Sequence, residues 1–132
     1  MLALPFAFAW VWMTLGVVSG AVLGLGFHKA GHMGGYSSWR RRLARLGHIA
    51  FFGTGLLCLA WGVTAMSLGL DSRLAVVATG GFIAGAVAMP TVCFLAAWRK
   101  PFRHLFFMPV LSLLGAVLLA AWLSGAACLA SL

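Results

Sequence analysis

Residues 46–70 read LGHIAFFGTGLLCLAWGVTAMSLGL, a run with no charged side chain between Arg45 and Asp71. About 20 mainly apolar residues carry an α-helix across a hydrocarbon core about 30 Å thick, and this run is longer than that. Three further windows, Met1–His28, Leu74–Trp98 and His104–Leu132, are equally free of Asp, Glu, Lys and Arg. The pattern predicts an all-α membrane protein with four transmembrane helices, near 3–26, 48–70, 74–98 and 105–128. They are expected to form one antiparallel up-and-down bundle spanning 1–132.

The composition agrees with the windows. Of 132 residues, 64% are hydrophobic and only 8% charged, whereas a soluble domain carries about 25% charged residues to cover its surface. A soluble domain, a disordered chain and a nucleic-acid-binding module on a soluble core are all excluded.

The charges also orient the chain. Nine basic residues and one acid give +8, and they fall in blocks: Lys29, Arg40, Arg41, Arg42 and Arg45 in one loop, Arg99, Lys100 and Arg103 in another. Only Asp71 and Arg73 lie elsewhere. Short loops rich in Lys and Arg stay cytoplasmic, which puts 27–47 and 99–104 inside and both termini on the non-cytoplasmic side. A bacterial inner membrane is the expected location. No basic residue precedes Lys29 and the first apolar run exceeds a signal-peptide core, so the first span is expected to be retained. Charge of this kind favours anionic lipid head groups over a soluble acidic partner.

Local signals refine the spans. Ser38 is a suitable N-cap, so the second helix is expected to begin near Trp39, outside the hydrocarbon. Trp39 with Arg40, Arg41, Arg42 and Arg45 would then form an interfacial collar among lipid phosphates. Asp71 or Ser72 is expected to cap the third helix. Small residues let membrane helices approach closely, and two stripes offer such faces: Gly16, Gly20 and Gly24, and Gly55, Gly62 and Gly69. A faint echo between Arg45–Phe52 and Pro101–Phe107 allows an internal duplication.

No span contains an ionisable acid or base of the kind that marks proton relays, and no paired carboxylates, nucleophile–histidine–acid set or phosphate loop is legible. No catalytic residue is therefore assigned. Cys58, Cys93 and Cys128 fall at different depths and lack metal-ligand spacing, so neither a disulfide nor a metal site is expected.

The remaining chemistry lies in His28, His32, His48 and His104, all at the cytoplasmic end. Histidine avoids hydrocarbon, so clustering there has a plain explanation. His48 nevertheless shares the glycine face of its helix, and His28 follows Gly16, Gly20 and Gly24 at steps of four. His48, His28 and His104 are the candidate ligands for a haem b, a chlorophyll-type pigment or a quinone. The function expected is an accessory subunit of a larger membrane redox or energy-converting complex, partnered by other membrane subunits. The alternative is a small homo-oligomeric channel or carrier.

Overall fold

The computed structural model describes residues 3–131; the ends of the expected 1–132 domain lie outside the described residues. It contains four long helices: α1, Leu4–Phe27; α2, Trp39–Ser67; α3, Arg73–Trp98; and α4, Phe107–Ala130. All four are long and apolar enough to cross a membrane, and no strand occurs among the described residues.

Each boundary has a local cause. Pro5 sits in the first turn of α1, where its missing N–H would have no intrahelical partner. The Ser38 side chain accepts from the Arg41 N–H and starts α2, well before the apolar window opens. The end of α2 is a Schellman cap: Gly69 N–H donates to the Met66 carbonyl at 3.2 Å and Leu70 N–H to the Ala65 carbonyl at 2.9 Å. That geometry needs a left-handed residue, and Gly69 supplies it with φ of 60°. Gly69 therefore lies beyond the helix and does not extend the Gly55–Gly62 face. Ser72, not Asp71, caps α3 by accepting from the Ala75 N–H.

α3 runs unbroken through buried Pro90, then stops where Arg99 turns extended ahead of Pro101. A 3₁₀ segment, Lys100–Phe106, leads into α4, whose Pro109 falls in the first turn. The two echo segments thus differ in conformation, since 45–52 is α-helix and 101–106 is 3₁₀. They give no structural support to a duplication.

Contacts follow chain order. α1 packs on α2, α2 on α3 and α3 on α4, whereas α1 and α4 share almost nothing. α2 and α3 are consequently the buried centre, with α1 and α4 as largely exposed flanks. Small side chains make the close approach possible: Ala65, Ala75, Ala78 and Ala86 join Cys58, Trp61 and Phe82 in the main core. A second cluster closes the loop end, where Leu43, Ala96 and Ala97 pack with Phe102 and Phe106.

Buried hydroxyls and indoles satisfy one another. Trp12 donates to Thr54 at 3.2 Å and Trp61 to Thr79 at 2.8 Å, while both threonines donate to the carbonyl four residues earlier. Ser112 of α4 donates to the Gly81 carbonyl of α3 at 2.9 Å. These pairs tie neighbouring helices without leaving a polar group open to lipid.

Candidate functional site

The α1–α2 seam is built on glycines. A methyl on Gly62 would meet Phe6 and Pro5, one on Gly55 would meet Met13, and one on Gly16 would meet Phe52 and Phe51. Gly20 faces His48: a Cβ there would sit 2.5 Å from the imidazole Cε1. Gly24 faces nothing within 4 Å. The reason is rotation. Four residues turn an α-helix by about 40° beyond a full circle, so a stripe at steps of four drifts off the seam within three steps. Gly24 is therefore not a packing glycine in this chain.

His48 occupies the space that Gly20 leaves. The ring is half-buried, edge-on to Phe52 with centroids 5.5 Å apart, and its Nδ1 lies 3.1 Å from Ser19 Oγ. The single hydroxyl proton of Ser19 goes to the Gly16 carbonyl at 2.8 Å. With that bond made, the tautomer that pairs Nδ1 with Ser19 donates from Nδ1–H and leaves Nε2 as an acceptor. The only buried side-chain nitrogen or oxygen without a partner, among the described residues, is Arg41 Nε. His48 Nε2 has no hydrogen-bond partner among the described residues and lies beside Gly20. An imidazole held through Nδ1–H with Nε2 free is the arrangement in which histidine ligates a metal or accepts a hydrogen bond.

The chain matches no known family model, characterised protein or solved structure.

The other histidines lie on other elements. His28 is exposed at the end of α1, eight residues past Gly20, about 12 Å along the axis and turned well away from the seam. His104 is exposed on the 3₁₀ segment. His32 packs instead on Gly26, with its ring 6.1 Å from that of Phe27. Among the described residues no three of His, Cys, Asp and Glu gather as a metal site. All three cysteines are free, Cys58 and Cys93 buried and Cys128 exposed. A cavity of about 150 Å³ lies along the start of α3 and one of about 250 Å³ between α2 and α4 beside Phe82, and neither is lined by a histidine or an arginine.

The collar residues divide. Trp39 is part-exposed, and its indole donates to the Ala96 carbonyl at 3.0 Å, pinning the start of α2 to the end of α3. Arg40 and Arg42 are exposed. Arg41 is buried: Nη2 donates to the Phe27 carbonyl at 3.3 Å and the guanidinium lies 4.2 Å from the Phe27 ring centre. Arg45 sits over Tyr36 at 4.5 Å.

Sequence reasoning missed Ser19 and the special position of Arg41. Ser19 left one signal, a hydroxyl beside the glycine stripe in a helix whose only other hydroxyl is Thr14. Arg41 left none, because three consecutive arginines look alike until the helix is placed.

Proposed function

We propose that the chain is an accessory integral-membrane subunit of a larger redox or energy-converting complex, in which His48 presents one imidazole to a cofactor at the subunit boundary. The observation that carries this reading is the Gly16–Ser19–His48 hydrogen-bond chain, which supports the tautomer with Nε2 as an acceptor beside Gly20. A single outward-facing imidazole suits a chlorophyll-type magnesium, a quinone oxygen, or a haem iron whose other axial ligand comes from a partner subunit. His28 at the end of α1 and His104 on the 3₁₀ segment, both exposed, are the candidates within this chain for a second axial ligand.

The helices run up and down, with loops 27–47 and 99–104 cytoplasmic and the termini on the other side. The pairing of Gly62 with Phe6, Gly55 with Met13 and Gly20 with His48 supports this order, since numbers fall on α1 as they rise on α2. The flanking helices favour assembly with other subunits, because α1 and α4 bury little within the chain.

Purification in mild detergent, with an absorption spectrum and mass analysis of what co-elutes, tests the proposal. A cofactor band together with larger membrane partners is expected. A colourless, self-sufficient oligomer that conducts in liposomes would overturn it in favour of the channel or carrier reading.

A further inference from the structure

Arg41 is 7% exposed, yet its charge has no acid to meet. The one acidic residue, Asp71, lies beyond the far end of α2. What Arg41 has is the carbonyl of Phe27 at the negative end of α1 and the faces of two aromatic rings, Phe27 at 4.2 Å and Tyr36 at 5.6 Å. Its Nε has no partner at all. Arg45, one turn further along the same face of α2, reaches the same Tyr36 ring at 4.5 Å. Two guanidiniums therefore converge on one tyrosine, at the positive end of a helix whose first turn already holds Arg40, Arg41 and Arg42. Like charges gathered at a helix N-terminus repel each other and the helix dipole, unless an anion sits among them.

We infer that the junction of α1, the 28–38 loop and α2 is a phosphate-binding site for an anionic phospholipid, with Arg41 and Arg45 as the donors and Tyr36 as its movable cover. Phosphate is the anion that guanidinium forks recognise best, and the lipid head-group level is where this end of α2 stands. Tyr36 is 71% exposed and is held by a loop with left-handed backbone at Met33, Gly34 and Gly35. Met33 holds φ of 57° without the freedom of glycine, so the loop beside Tyr36 is strained. The site rests on membrane insertion alone and is independent of any cofactor at His48.

Native mass spectrometry of the full chain in detergent tests it, with phosphatidylglycerol, phosphatidylcholine of the same acyl chains and inorganic phosphate as separate probes. One phosphatidylglycerol should be retained about tenfold more tightly than phosphatidylcholine, and Arg45→Gln should remove about tenfold of that preference. Arg41→Lys, which keeps the charge but loses the fork, should weaken it as well. Arg42→Gln removes the same charge from the adjacent turn and should change retention less than about twofold. Equal losses in Arg42→Gln and Arg45→Gln would reduce the effect to general surface charge and overturn the site. Equal retention of both lipids would overturn it too, and inorganic phosphate displacing the lipid at equal concentration would overturn the lipid as its source. Melting temperatures close to wild type confirm that each variant is folded.

Discussion

Replacing Gly20 by alanine puts a methyl group against the His48 ring. The new Cβ would lie 2.5 Å from Cε1, 3.1 Å from Nε2 and 3.2 Å from Nδ1. The ring cannot retreat freely, because Nδ1 is bonded to Ser19 and one edge rests on Phe52. Overpacking of this sort costs about 1–3 kcal/mol. Displacing the ring also forfeits the Ser19 bond, worth about 1 kcal/mol. Alanine returns about 0.5–1 kcal/mol through its better helix propensity. The net expectation is a destabilisation of about 1–3 kcal/mol. Gly24→Ala, one turn away, keeps only the propensity gain and should be neutral or stabilising by up to about 1 kcal/mol. Reversible unfolding in mixed micelles, followed by circular dichroism, measures both. The cost at Gly20 should vanish in a His48→Ala background, where the obstructing ring is gone. Equal effects at Gly20 and Gly24, or a Gly20 cost that persists without His48, would refute the packing described for this seam.

Topology and the α2 cap give two further expectations. In a variant with Cys58, Cys93 and Cys128 replaced, Ser131→Cys should react with an impermeant thiol reagent in intact cells or spheroplasts, and labelling only after lysis would reverse the orientation. Gly69→Ala should cost about 1 kcal/mol because φ is 60° there, whereas Gly80→Ala, whose Cβ meets nothing within 4 Å, should cost nothing in the same unfolding assay.

The four helices were legible because charge is nearly binary in a membrane sequence. Every uncharged window became a helix; Ser38 marked the start of α2, and Ser72, one of two candidates with Asp71, that of α3. Helix ends were less legible. Gly69 looked like one more seam glycine, and only the two bonds of the Schellman cap show that it terminates α2. Gly24 and His28 looked aligned with Gly20 because steps of four approximate a helical turn, yet the residual rotation carries both off the seam. The candidate site was half legible. His48 stood out for its place above Gly55 and Gly62, but its tautomer depends on Ser19, whose partner lies 29 residues away. The collar was legible as a cluster of charge and not as a division of labour. Burial of Arg41 beside exposed Arg40 and Arg42 follows from the angle at which α2 meets the end of α1, and no local pattern encodes that angle.

The most direct test of the central claim is the absorption spectrum of the complex purified in mild detergent, compared between the wild-type chain and His48→Ala. A cofactor band is expected in the wild type and its loss or shift in the variant. The helical signal should be retained, since the substitution removes one hydrogen bond worth about 1 kcal/mol. An unchanged band in His48→Ala, or a wild-type complex with no cofactor absorption, would contradict it.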